Sequence, residues 1–112
     1  TLLCEVIKQD TVKVVRLFNY PNPVYQSTLF SFSLEGPYAG ARAELTILTV
    51  EGQPLRTFSK AINEAGLRSI EIEWNGRDEK GNRLGRGVYI YQLTIMSKTG
   101  KLTRKVQKLI IL

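Results

Sequence analysis

Apolar and polar side chains exchange places at every second residue along much of this chain, and that period dictates what it can fold into. From Tyr89 to Ile95, the set Tyr89, Tyr91, Leu93 and Ile95 alternates with Ile90, Gln92 and Thr94; from Ser69 to Trp74, Ile70, Ile72 and Trp74 alternate with Glu71 and Glu73. Successive side chains of a β-strand point to opposite faces, so each run buries one face and wets the other. Phe30, Phe32 and Leu34 against Ser31 and Ser33 follow the same rule, as do Leu45 and Ile47 against Glu44 and Thr46. The spacing of an amphipathic helix is nowhere sustained over about a dozen residues. The chain is therefore expected to be all-β.

Turn-forming residues separate the runs: Asn19 to Pro23, Glu35 to Pro37, Glu51 to Pro54, Asn63 to Gly66, Asn75 to Gly87 and Lys98 to Gly100. Adding the strand-like runs Leu2 to Ile7, Val12 to Leu17, Leu55 to Ser59 and Lys101 to Leu112 gives seven or eight short strands. That spacing predicts an antiparallel β-sandwich. Its expected core is Phe30, Phe32, Leu45, Ile47, Ile70, Ile72, Trp74, Tyr89, Tyr91 and Leu93. With 112 residues, 43% of them hydrophobic and 23% charged, one domain can bury such a core without a staple.

The final run carries a conflict of phase. Leu102 and Val106 share one parity, whereas Leu109 and Ile111 sit on the other. Either a bulge near Gln107 and Lys108 shifts the register, or both faces of the last residues are covered. Charge is concentrated in the same region. Residues 1–79 hold 8 basic and 10 acidic side chains, while residues 80–112 hold 8 basic and none acidic, within a net charge of +6 overall. Lys98, Lys101, Arg104, Lys105 and Lys108 lie in or beside this segment. Such cations guard an edge strand against unwanted pairing, or they meet an acidic protein partner. Nucleic acid is disfavoured, because no aromatic stacking platform interleaves with them.

Several chemistries are excluded. The chain has no His, so neither a Ser/His/Asp nor a Cys/His constellation can be built from it. The single Cys4 cannot close an internal disulfide and reads as a small buried hydrophobe among Leu2, Leu3, Val6 and Ile7. Asn75 to Asn82 packs oxygen-bearing side chains around glycines but puts Arg77 in a ligand slot, and no acid follows Glu79, so turns are expected rather than a calcium loop. Glu71 and Glu73 share a solvated strand face rather than forming a catalytic pair. No catalytic residue, cofactor site or metal site is expected. No apolar run approaches the roughly 18 residues that span a bilayer, and with Thr1 first the chain reads as a soluble piece of something longer.

The run Leu17 to Pro23 followed by Phe30 to Leu34, then Leu45-Thr46-Ile47 with Gly52 and Leu55-Arg56-Thr57, then Trp74 to Asn82, Gly87 to Leu93 and a closing Lys108-Leu109 resembles the immunoglobulin-like C-terminal sorting domains of type IX secretion substrates. Matching motif positions are Asn19, Tyr20, Pro21, Asn22 and Pro23, then Gly76, Asp78 and Gly81, then Gly87, Tyr89 and Tyr91. Asn75 stands where the family usually has Asp, and Val24-Tyr25 replaces its usual Phe-Asn. Within the family, Asn75 to Gly81, Arg86 to Tyr91 and the ending Lys108 to Leu112 are most similar to the domains carried by gingipain-like cysteine-peptidase sortases. The resemblance implies an immunoglobulin-like domain over residues 17–112, with residues 1–16 as incoming linker and first strand. It implies a domain that is itself no enzyme, that directs its parent across the outer membrane from the periplasm to the cell surface, and that docks on the β-barrel shuttle protein PorV without inserting in the membrane. The catalytic residues of the parent would lie upstream. The docking surface is expected at Lys101, Arg104, Lys105 and Lys108 together with Leu109, Ile110, Ile111 and Leu112. An immunoglobulin-like appendage of another extracellular enzyme is the alternative.

Overall fold

Seven antiparallel strands, and no helix, form among the residues described by this computed structural model, which are 12–36, 38–62 and 69–112. They are β1 (Lys13–Tyr20), β2 (Thr28–Glu35), β3 (Ala41–Leu48), β4 (Pro54–Ile62), β5 (Ile70–Trp74), β6 (Gly87–Met96) and β7 (Leu102–Ile111). The strands make two sheets, one ordered β1-β2-β5 and the other β4-β3-β6-β7. The expected sandwich is present. The strand-like run at Leu2 to Ile7, Cys4 and the turn at Asn63 to Gly66 lie outside the described residues, as does Pro37. β1 starts at Lys13 and crosses the expected boundary after residue 16.

Alternation translates directly into packing. Phe30, Phe32, Ile70, Ile72 and Trp74 of the first sheet face Leu45, Ile47, Tyr91 and Leu93 of the second, and all are buried. Register agrees with this assignment, since Phe30 pairs with Ile72 and Leu45 with Leu93. Phe30 sits at the centre of an aromatic cluster, 6.0 Å from the Trp74 ring and edge-on to Tyr91 at 4.8 Å. Full burial of each such side chain stabilises the fold by about 1.5 to 3 kcal/mol. Tyr89 departs from expectation: it is only partly buried and rests against the core, with its hydroxyl donating to the Gly85 carbonyl at 2.8 Å.

Three further local expectations are corrected. Asn19 and Tyr20 belong to the end of β1, not to the turn, because β1 keeps its pairing with β2 as far as Tyr20 and Leu29. Pro54 opens β4 instead of closing the preceding turn, a position where its missing N–H disturbs the ladder least. Register shifts lie in β1, between Val14 and Arg16, and in the β3–β4 pair, between Ile47 and Leu48, and not near Gln107 and Lys108. β7 pairs with β6 from Met96–Leu102 to Gly87–Ile111 without a shift. The phase conflict in β7 therefore resolves differently. Leu109 and Ile111 point into the core, while Leu102, Val106, Ile110 and Leu112 are left on the solvent side.

The two long sides of the sandwich are held by side chains reaching between sheets. On one, Thr103 Oγ1 donates to Val12 O at 2.7 Å and Gln107 Nε2 to Leu17 O at 3.2 Å, tying β7 to β1. On the other, Lys60 Nζ donates to Glu71 O at 3.2 Å, and the loop after β5 docks on β4 through Glu79 N to Leu55 O and Thr57 N to Glu79 Oε1.

Candidate docking site at the end of the chain

The segment after β1 reaches across to the end of β7. Two prolines, each preceded by a cis peptide bond, turn the chain after Tyr20. Inside this turn Asn19 Nδ2 donates to Thr28 Oγ1 at 3.2 Å and to Pro21 O at 3.4 Å, while Thr28 Oγ1 donates to Pro21 O at 3.0 Å. Asn19 and Thr28 are thus buried polar groups with partners. The turn delivers Asn22 and Val24 to β7. Asn22 Oδ1 accepts from Ile110 N at 3.2 Å, Val24 N donates to Ile110 O at 2.7 Å, and Leu112 N donates to Val24 O at 2.9 Å. Val24 forms a parallel bridge with Ile111 and is buried. Two stretches picked out separately in the sequence, Asn19 to Pro23 and Leu109 to Leu112, are therefore one structural unit. Val24 enters the sequence reading only as a departure from the family pattern, and its bridge to Ile111 was missed. Its only local signal is a lone aliphatic after two prolines in a polar stretch.

The expected docking residues divide by face. Leu109, with no exposed surface, and Ile111 are core residues and are unavailable to a partner. Ile110 and Leu112 are exposed beside them. Arg104, Lys105, Val106, Gln107 and Lys108 are five consecutive exposed residues in mid-strand, with Lys101 exposed in the preceding turn. On the outward side, Val88 pairs with Ile110, Gln92 with Val106 and Met96 with Leu102. This gives a row of aliphatic residues interspersed with Arg104 and Lys108.

The remaining motif residues build the loop between β5 and β6. Asp78 Oδ1 accepts from the amides of Lys80 and Asn82 at 3.0 and 2.9 Å, Asn75 Oδ1 accepts from Arg77 N, and Arg77 Nη1 donates to Gly81 O. Trp74 Nε1 donates to Arg77 O at 2.8 Å, which fastens the loop to the core. Gly76 has φ +79°, and a Cβ there would lie 3.0 Å from the Gln26 carbonyl oxygen, so both conformation and space select glycine. Gly81 sits in the turn, and Gly87 begins β6 opposite Ile111. The carboxylate of Asp78 is thus committed to backbone amides. Among the described residues no three His, Cys, Asp or Glu side chains converge on a point where a metal could sit. A cleft of about 470 Å³ lies between the β4 and β5 edges, lined by Tyr20, Arg56, Phe58, Glu73, Trp74 and Asn75. Arg56 lies over Phe58 at 4.8 Å.

Sequence comparison finds no matching family model and no matching curated protein. Comparison of folds does find similar structures. Dimeric latent PorU from Porphyromonas gingivalis matches 91% of the chain with a TM-score of 0.79 at 22% identity. The likeness is one of fold. The chain corresponds to only 9% of the length of PorU. CopC from Methylosinus trichosporium OB3b matches 90% of the chain and 93% of its own length with a TM-score of 0.54 at 17% identity. A β-glucuronidase from Parabacteroides merdae matches 89% of the chain over 13% of its own, with a TM-score of 0.60 at 9% identity.

Proposed function

We propose that this chain is a non-catalytic sorting domain of the type IX secretion kind, the C-terminal part of a parent resembling the PorU sortase. Its role is to direct that parent through the outer membrane and to hold it at the cell surface by docking on PorV. The observation that carries the reading is the fold likeness to PorU at a TM-score of 0.79, over a chain whose sequence motifs resemble that family in order. The parent's peptidase residues lie upstream in this reading, in keeping with the lack of His. Docking uses the exposed cations of β7 with Ile110 and Leu112, the cations orienting the encounter and the aliphatics supplying burial. The test is to delete residues 102–112 from the parent and fractionate the cells. The parent is expected to accumulate in the periplasm; surface delivery at the normal level overturns the proposal.

A second reading has its own support. The β-glucuronidase likeness, covering 13% of that enzyme, illustrates a sandwich of this shape as one part of a larger enzyme. If the chain is such an appendage, deletion leaves export intact and lowers the stability of the parent.

A further inference from the structure

β7 is an edge strand of its sheet, tied to β1 through the side chains of Thr103 and Gln107, while the backbone of its outer edge is unpaired over part of its length among the described residues. Backbone groups of alternate residues in an antiparallel pair face opposite edges. Ile110 and Leu112 turn their backbone groups away from β6, toward Asn22 and Val24. Pairing with β6 runs without a shift, so Arg104, Val106 and Lys108 face the same way. Among the described residues no hydrogen bond reaches the backbone N–H or C=O of these three. Their side chains, and those of Lys105 and Gln107 between them, are exposed. One end of the edge already pairs with a single extended residue, Val24, through an isolated parallel bridge.

We infer that the edge of β7 from Arg104 to Lys108 takes an extended acidic segment of a partner protein as an additional β-strand. This rests on the docking role proposed above and names its mode. Backbone pairing supplies affinity in strand addition, and neighbouring side chains supply selectivity. Arg104 and Lys108 stand on the outward face beside Val106, and Lys105 stands on the inward face. An incoming strand therefore meets cations on both of its faces, with one aliphatic contact between them. A second copy of this chain is disfavoured as occupant, because pairing of two β7 edges would set cation against cation. Edge lysines repel unselected strands for the same reason and admit a complementary one.

The probe is a synthetic peptide of alternating Glu and Val, added to the isotopically labelled chain while amide exchange is followed by NMR. The amides of Arg104, Val106 and Lys108 are expected to exchange rapidly in the free chain and to slow as the peptide saturates. A peptide with Lys in place of Glu should give no protection. Arg104→Glu with Lys108→Glu should weaken binding of the acidic peptide by about tenfold or more at low salt, with an unchanged melting curve. Slow exchange of these amides before any peptide is added would mean that the edge is closed from within the chain, and overturns the inference. So does peptide binding that leaves them unprotected. Failure here leaves the sorting proposal standing if deletion of residues 102–112 still strands the parent in the periplasm. Protection in the tube, with the deleted parent delivered normally, sinks the sorting proposal alone.

Discussion

Trp74 joins two parts of the molecule. Its ring packs on Phe30 inside the sandwich, and its indole N–H fixes the loop that follows through Arg77 O. Trp74→Ala is expected to cost about 3 to 5 kcal/mol in a denaturant melt, and Trp74→Phe less, since it keeps most of the packing and loses the hydrogen bond. Tyr91 offers a pH signature. Burial pushes its phenol from an ordinary value near 10 up to about 12. The folded state therefore keeps the proton where the unfolded chain loses it. The stabilisation is complete below pH 10 and is lost as the pH rises toward 12, amounting to about 3 kcal/mol. Urea melts at successive pH values should show this fall in the parent chain and a flatter profile in Tyr91→Phe.

β7 shows why some strands are legible in a sequence and others are not. β2, β5 and β6 each bury one face along most of their length, so the parity of Phe30, Ile72 or Leu93 announces the core. In β7 the inward positions are polar in the middle, at Lys105 and Gln107, while three aliphatics, Leu102, Val106 and Ile110, lie outward. Parity alone offers either a bulge near Gln107 and Lys108 or cover on both faces of the last residues, and the strand shows neither: it pairs with β6 without a shift and leaves Ile110 and Leu112 exposed. The register shift in β1, beside Val15, leaves no trace in a run where two valines follow one another. The bridge from Val24 to Ile111 was invisible for another reason: it joins residues far apart in the chain, and no local pattern encodes it. The two faces of β7 are expected to separate in thermal melts. Leu109→Ala should cost about 2 to 5 kcal/mol, as for other buried leucines, and Ile110→Ala about 0.5 kcal/mol. Lys105→Glu with Lys108→Glu should leave stability within about 1 kcal/mol while weakening attachment of an acidic partner chiefly at low ionic strength.

For the molecule as a whole, the strand order places closure at the end of the chain. Removing residues 109–112 deletes Leu109 and Ile111 from the core and the Val24 bridge with them. Two such losses, at about 2 to 5 kcal/mol each, rival the total stability of about 5 to 15 kcal/mol usual for one domain. The truncated chain is expected to be largely unfolded by circular dichroism, so every binding or export assay on it needs a parallel melt. Calcium or a chelator should leave the melting temperature of the intact chain unchanged, given that Asp78 is occupied by the amides of Lys80 and Asn82. The reach of Asn22 and Val24 to Ile110 and Leu112 also sets a clock. A polypeptide emerges from the ribosome in order, and Ile110, which meets Asn22 of this turn, lies 88 residues further along the chain. Until then β1 and β6 both lack the neighbour that closes their side of the sandwich, however long ago they were made. This side of the domain closes only after β7 has been made, and a truncation before β7 leaves it open.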